Sequence, residues 1–209
     1  MSKRIFVVIS LFALSVLFFG CEKANKKSTA SKTPPQVKKG VAPVADPEVA
    51  VIEMEEPVYG KITIELYSNI APEMVKRFKE LAREGFYNGT TFHRINSAVI
   101  QGGDPLSKDD DPTNDGAGES DKKDVPAEFS DIQYVPGMVG AARTDDVNSA
   151  NSQFFITLRR APEFDGQYTV FGKVIDGLNN ARTIAGAPRD GERPLEDIKI
   201  KSVTIQPKQ

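Results

Sequence analysis

The sequence has few of the residues from which metal sites and disulfide bonds are built. Its 209 residues include one Cys, one His and no Trp. A single Cys excludes a disulfide framework within one chain, and a single His excludes zinc sites that need paired histidines. We therefore expect a protein with no metal and no cofactor, whose folded part is held by its hydrophobic core alone.

The charges are divided unevenly along the chain. Residues 22–48 carry six Lys against three acidic residues, whereas the chain from residue 49 carries 19 basic and 26 acidic residues. An acidic folded part argues against nucleic acid as a partner, because phosphate binding needs a basic surface. The basic stretch is interpreted as a solvated linker, with attraction to an anionic membrane surface as the alternative.

The N-terminus has the organisation of an export signal. Two basic residues precede an apolar run over residues 5–19, which is shorter than the roughly 20 residues that a spanning helix needs. The run ends in Gly and Cys21, and this end resembles a bacterial lipobox, in which the Cys is lipidated and becomes the first mature residue. We predict a signal peptide over 1–20 and a lipid anchor at Cys21, with a conventional cleaved signal as the alternative.

A linker separates this signal from the folded domain. Residues 21–50 are rich in Lys, Ser, Thr and Pro and show no apolar period, which predicts a flexible tether on the membrane. The domain is then expected over 51–209. This arrangement predicts a location in the cell envelope, on the periplasmic side, and a monomer is expected by default. Glu22 favours an outer membrane, because the Asp often linked with inner-membrane retention is absent.

Hydrophobic periodicity predicts a mainly β domain with two helices. A helix is expected from Ala71 to just before Gly85, and a second over 178–184. Strands are expected over residues 52–55, 61–67, 91–94, 98–101, 138–142, 154–158, 169–174 and 198–205. Many short strands with two helices favour a closed antiparallel barrel. On the pattern alone, a β-sandwich is nearly as well supported as the barrel.

Residues 107–124 form an acidic insertion without apolar periodicity. Part of it follows the spacing of a calcium loop that starts at Asp111, but Thr113 replaces an acid at the third position. Lys122 occupies the twelfth position, where a bidentate Glu belongs. We therefore interpret the insertion as a solvated surface loop, with calcium binding as the alternative.

Three long motifs identify a family. Residues 86–94 read FYNGTTFHR and are followed by QGGDP at 101–105; residues 151–156 read NSQFFI, and residues 164–174 read FDGQYTVFGKV. In order and spacing these blocks resemble the cyclophilin family of peptidyl-prolyl isomerases, and the resemblance covers about residues 50–206. It implies a closed eight-stranded antiparallel β-barrel capped by two α-helices. It also implies an isomerase acting on proline-containing polypeptides, here during folding outside the cytoplasm.

The resemblance also assigns roles to individual residues. Arg94 matches the catalytic arginine, Gln101 the glutamine that binds the peptide and helps orient that arginine, and Phe155 the floor of the proline pocket. The remaining substrate-binding positions implied by the family are Val99, Ala142, Arg143, Thr144, Gln153, Phe164 and Tyr168. His93, the only histidine, is interpreted as structural, because no motif gives it a carboxylate or Ser partner.

One departure from the family lies beside the catalytic arginine. Six residues separate Arg94 from Gln101, one fewer than usual, and Ala98 stands where a pocket phenyl ring is expected. A missing phenyl ring removes apolar contact with the proline. The alternative function is therefore a peptide-binding or chaperone module with little turnover.

Overall fold

One antiparallel sheet contains eight of the strands in the computed structural model, which describes residues 35–208. A separate hairpin is formed by β8 and β9. In chain order the elements are β1 (Glu48–Met54), β2 (Lys61–Leu66), α1 (Pro72–Arg83), β3 (Arg94–Ile95), β4 (Val99–Gly102), β5 (Met138–Ala141), β6 (Phe154–Thr157), β7 (Val170–Asp176), α2 (Leu178–Ala185), β8 (Arg189–Asp190), β9 (Arg193–Pro194) and β10 (Ile200–Pro207). No helix within this part of the chain is long and apolar enough to cross a membrane.

The sheet is curled but not closed. Its strand order is β10-β1-β2-β7-β5-β6-β4-β3, which leaves β10 and β3 at the edges. Near these edges the chain makes an isolated bridge between Thr91 and Lys199 instead of a continuous ladder. Eight antiparallel strands with two helices are confirmed, whereas closure of the barrel is wrong. The reason is that β3 has two residues and is too short to offer β10 a full edge.

The first helix covers one face of the sheet. It starts with Pro72 at its first position, and its buried residues fall on one side: Met74, Val75, Phe78, Leu81 and Ala82. This side packs on β10 and β7, while α2 packs on β2 and β4. Both helices therefore bury the apolar stripe that their periodicity predicted.

The buried apolar residues divide into two clusters. The larger cluster lies between the helices and the sheet and includes Phe78, Phe154 and Phe171. The smaller cluster includes Val99, Tyr134 and Phe155, with Phe164 and Tyr168 at its margin. This smaller cluster contains most of the apolar positions that the family resemblance assigns to substrate binding.

The segment before β1 lies against the domain. The backbone N–H of Lys38 donates to the Phe129 carbonyl at 2.8 Å, and the Lys38 ammonium donates to the Ile70 carbonyl at 2.6 Å. Asp46 accepts from Lys79 of α1 at 2.6 Å. Within the tether expected over 21–50, the chain is thus bonded to the domain from residue 38 onward.

Candidate active site

Strand register brings three distant residues into one row. Arg94 of β3 pairs with Gln101 of β4, and Gln101 pairs in turn with Phe155 of β6. Residues directly opposite each other in antiparallel strands put their side chains on the same face of the sheet. The three residues expected to carry catalysis are therefore neighbours.

Polar side chains along this row form a hydrogen-bonded chain. Arg94 Nη1 donates to Gln101 Oε1 at 3.2 Å, and Gln101 Nε2 donates to Gln153 Oε1 at 2.9 Å. Gln153 Nε2 donates to the carbonyls of Gly116 at 3.0 Å and Gly118 at 2.8 Å. The guanidinium is thereby connected, through two amides, to the middle of the acidic insertion.

The middle of the insertion is itself fixed by hydrogen bonds. The carboxylate of Asp104, which is buried, accepts hydrogen bonds from the backbone N–H groups of Gly116 and Gly118. Within residues 35–208, no group of three or more His, Cys, Asp or Glu side chains is arranged to hold a metal ion. Asp111 instead accepts from the backbone and hydroxyl of Thr113.

Aromatic rings surround Phe155. Its ring stacks on Tyr134 with centroids 5.6 Å apart, and it meets Phe164 at 5.3 Å and Tyr168 at 5.5 Å, both at steep angles. Phe155 is 4% exposed. Gly140 lies opposite it on β5, where a Cβ would collide with the Phe155 ring. These rings make an apolar wall beside the Arg94 row, in a geometry that aromatic pairs favour.

The predicted peptide-binding segment flanks the same row. The guanidinium of Arg143 lies 4.6 Å from the centre of the Tyr168 ring and donates to the Gln167 carbonyl. The N–H of Ala142 donates to the Gln153 carbonyl at 3.0 Å, and Thr144 shares a hydrogen bond with Ser149. A small cavity of about 110 Å³ is bounded by the expected residues Gln101, Ala142, Arg143, Thr144 and Gln153.

The short connection between β3 and β4 is a tight turn centred on Asn96. Its Oδ1 accepts from the N–H groups of Ala98 at 2.7 Å and Val99 at 2.8 Å. Ala98 packs against the smaller cluster, in which Phe155 has its aromatic contacts with Tyr134, Phe164 and Tyr168. Ala98 has no ring, so the aromatic contacts of Phe155 come from Tyr134, Phe164 and Tyr168, which lie outside this turn.

Three residues at the site were not anticipated from the sequence. Glu192 Oε2 accepts from Arg94 Nε at 2.6 Å, and Glu192 Oε1 accepts from Asn96 Nδ2 at 2.6 Å. The hydrogen bond from Arg94, above all, lowers the pKa of Glu192. Tyr134 is the third, and among the described residues its ring is the one stacked on that of Phe155. No motif marks any of them, and Glu192 is 98 residues away from Arg94.

His93 lies apart from this site. It borders a cleft of about 510 Å³ in which seven of the sixteen lining residues are carboxylates and none is a predicted site residue. Its ring is buried, and within the described part of the chain neither ring nitrogen has a hydrogen-bond partner. Burial lowers the pKa of His93, which favours the neutral imidazole. Cys21, the predicted lipidation site, is outside the described residues.

Comparison with known proteins gives a consistent result. Residues 50–205 match the model of the cyclophilin-type peptidyl-prolyl cis-trans isomerase family. The chain is 45% identical over 172 residues to a probable peptidyl-prolyl cis-trans isomerase of Brucella suis, which covers 79% of this chain and 86% of that protein. A peptidyl-prolyl cis-trans isomerase of Schizosaccharomyces pombe is 39% identical over 153 residues. The match covers 70% of this chain and 94% of that protein.

A solved structure is also similar. It is a cyclophilin-type peptidyl-prolyl cis-trans isomerase of Cryptosporidium parvum, crystallised in the presence of the dipeptide Ala-Pro. The two share 32% sequence identity with a TM-score of 0.66, over 75% of this chain and 98% of the other.

Proposed function

The chain belongs to the cyclophilin-type peptidyl-prolyl cis-trans isomerases, and we propose that it accelerates X-Pro rotation by stabilising the twisted amide with Arg94 beside an apolar proline pocket. The barrier to this rotation, about 18–20 kcal/mol, comes from lost amide resonance. In the twisted state the proline nitrogen regains its lone pair and becomes a hydrogen-bond acceptor. A fixed donor aimed at that nitrogen lowers the barrier without a nucleophile or a proton transfer.

The row of Arg94, Gln101 and Phe155 is the observation that carries this proposal. A guanidinium stays charged and has rigid N–H donors, which suits a group that must recognise a developing lone pair. Arg94 is 45% exposed, so a peptide can reach it. The wall formed by Phe155, Phe164 and Tyr168 is apolar and suits the proline ring.

The substrates proposed are proline-containing polypeptides. The Cryptosporidium relative, crystallised in the presence of Ala-Pro, supports this class. Arg143, Ala142 and Gln153 line a small cavity that continues the row, in a place suited to the peptide around the proline. We assign these residues to binding of the chain around the proline.

The proposed place of action is the cell envelope, with a lipid anchor at Cys21. The support is the sequence of residues 1–21, in which a short apolar run ends at the only Cys. Mass spectrometry of the N-terminal peptide of the mature protein tests this. A diacylglyceryl group on Cys21, and release of the protein from membranes by Cys21→Ser, are the expected results. An unmodified Cys21 in the mature protein contradicts it.

The isomerase proposal is tested by cis/trans exchange of a short Ala-Pro-Phe peptide, measured by NMR with the full-length chain and Arg94→Ala. Uncatalysed exchange takes roughly tens to hundreds of seconds. We expect exchange far above that rate, and a loss of kcat/KM of about 10²–10³-fold in the variant, as for removal of one transition-state donor. Arg182→Ala, which changes an exposed arginine on α2, is the control and should retain activity.

The same experiment separates the alternative function. Ala98, which stands where relatives have a pocket phenyl, favours a peptide-binding module with little turnover. Exchange at the spontaneous rate, from folded protein that still shifts the peptide resonances, supports that module and contradicts the isomerase mechanism.

A further inference from the structure

Glu192 is held against the strand that carries Arg94. The N–H of Ile95 donates to the backbone carbonyl of Glu192 at 2.7 Å. Arg189 Nη1 donates to the Ile95 carbonyl at 3.1 Å, so both polar backbone groups of Ile95 are bound by the same segment. Glu192 lies in the turn between β8 and β9. It directly follows Gly191, whose φ is 61°. The backbone therefore places Glu192 next to Arg94 without help from the Glu192 side chain.

The Glu192 carboxylate bridges two side chains on one side of the chain. Arg94 lies in β3 and Asn96 directly follows that strand, and both side chains reach the same carboxylate. One carboxylate oxygen accepts from Arg94 Nε at 2.6 Å, and the other accepts from Asn96 Nδ2 at 2.6 Å. The carboxylate thus has a donor at each oxygen, and its orientation is fixed.

Asn96 is itself fixed by the short turn. Its Oδ1 accepts from the N–H groups of Ala98 and Val99, and its backbone N–H donates to the Val99 carbonyl at 2.9 Å. With Oδ1 used inside the turn, only the NH₂ group of Asn96 can face Glu192. The shortened connection between Arg94 and Gln101 therefore supplies an anchor for the carboxylate.

From these contacts we propose that Glu192 is a positioning residue, anchored by Asn96, that fixes the plane of the Arg94 guanidinium for catalysis. The inference rests on the role proposed above for Arg94. Glu192 holds Nε and Gln101 holds Nη1, so the planar group is bound at two different nitrogens. The N–H groups of Nη2 and one of Nη1 have no partner among residues 35–208 and are free for the peptide.

Preorganisation is the physical reason why this contact affects the rate. A long arginine side chain loses rotamer freedom when it takes up one geometry, and that loss otherwise falls in the transition state. A carboxylate that holds the guanidinium before the peptide arrives removes part of that cost. The effect appears in kcat, because the ground-state contacts of the proline pocket do not involve Glu192.

The test compares Glu192→Ala, Glu192→Gln and Glu196→Ala in the full-length chain by NMR exchange. Glu196 is an exposed carboxylate that follows β9, four residues after Glu192, and it is the matched control for lost charge. We expect Glu192→Ala to lower kcat about fivefold with little change in KM and in melting temperature. Glu192→Gln, which keeps one acceptor oxygen, should fall between Glu192→Ala and the wild type, and Glu196→Ala should match the wild type.

A second background shows whether the effect passes through Arg94. In an Arg94→Lys chain, the further change Glu192→Ala should alter kcat less than about twofold, because the guanidinium that Glu192 orients is absent. An equal loss in both backgrounds overturns the inference, as does a Glu192→Ala chain as active as Glu196→Ala. Both of those outcomes leave the proposed function intact if Arg94→Ala is inactive. A fully active Arg94→Ala chain overturns both the inference and the proposed mechanism.

Discussion

Phe164 forms the outer part of the apolar wall at the residue scale. It is half-buried and meets Phe155, Tyr134 and Tyr168 at centroid distances between 5.2 and 5.7 Å. Its contacts with a proline ring would be similar in the planar and twisted states of the peptide. Such uniform contacts change KM and leave kcat nearly unchanged.

We therefore expect Phe164→Ala to raise KM for a proline peptide about fivefold or more, with kcat within about twofold of the wild type. Phe86→Ala is the control, because Phe86 is also a half-buried aromatic residue but packs on the larger cluster. Steady-state rates from NMR exchange at several peptide concentrations provide the measurement. Equal KM values in the two variants would show that Phe164 does not contact the substrate.

The residues of the candidate site divide by whether a local motif contains them. Arg94, Gln101 and Phe155 lie within motifs and could be named from the sequence, and the strand register then makes them neighbours. Glu192 and Tyr134 could not, because they reach the site through tertiary contacts that leave no local pattern. A single sequence gives no signal for a hydrogen bond that spans 98 residues.

Strand β1 lies between β2 and β10 at the element scale, and Glu53 ties it to both. Glu53 accepts from Lys61 of β2 at 2.9 Å and from Lys201 of β10 at 2.8 Å. These hydrogen bonds lower the pKa of Glu53 from 4.5 to about 2, and the bond from Lys201 has the larger effect. Because the folded pKa is depressed, the stabilisation is present above the unfolded value and is lost as the pH falls through the folded one.

We expect Glu53→Gln to be less stable than the wild type at neutral pH, and the difference to shrink as the pH falls from 4.5 towards about 2. Urea unfolding midpoints of both chains at neutral pH and at about pH 3 measure this difference. The control is Glu55→Gln, an exposed glutamate that forms no ion pair within residues 35–208. A difference that stays constant over this range would contradict the assignment.

The elements themselves were largely predictable from periodicity, with three informative exceptions. The strand expected over 91–94 is observed only as β3, Arg94–Ile95, with Thr91 in an isolated bridge. The predicted helix at residues 178–184 is confirmed as α2, and the alternation over 61–67 is confirmed as β2. The hairpin of β8 and β9 was missed, because its strands are charged or contain Pro and show no alternation. The predicted start of α1 lacked one contact. Glu128, from a distant loop, accepts hydrogen bonds from the N–H groups of Glu73 and Met74 in the first turn of this helix.

The whole molecule includes more of the chain than composition indicates. Residues 38–46 read KKGVAPVAD and show no apolar period, which favours a linker, yet they make specific contacts with the domain. Asp46 pairs with Lys79 on α1, and both side chains are nearly buried. Hydrogen bonds to distant backbone groups have no compositional signature, so the beginning of the domain could not be found from sequence.

A chain that begins at residue 48 should therefore be less stable than one that begins at residue 35. We expect a loss of about 2–4 kcal/mol in the free energy of unfolding, because several hydrogen bonds and a partly buried ion pair disappear. Urea denaturation measures the loss. The value of kcat/KM per folded molecule should stay within about threefold, since hydrogen bonds of Lys38 and Asp46 go to Ile70, Phe129, Ser68 and Lys79, which lie outside the Arg94 row. If the two chains were equally stable, the segment before residue 48 would be a linker that adds nothing to the stability of the domain.

The position of β1 also sets the order in which the sheet can be completed. Its partner β2 follows within a few residues, but the bond from Lys201 of β10 to Glu53 spans 148 residues. A chain that emerges N-terminus first must therefore wait with one edge of β1 unpaired until β10 has appeared. An unpaired strand edge is a template for pairing with other chains. This cyclophilin-type isomerase thus passes through a stage in which its own first strand needs protection.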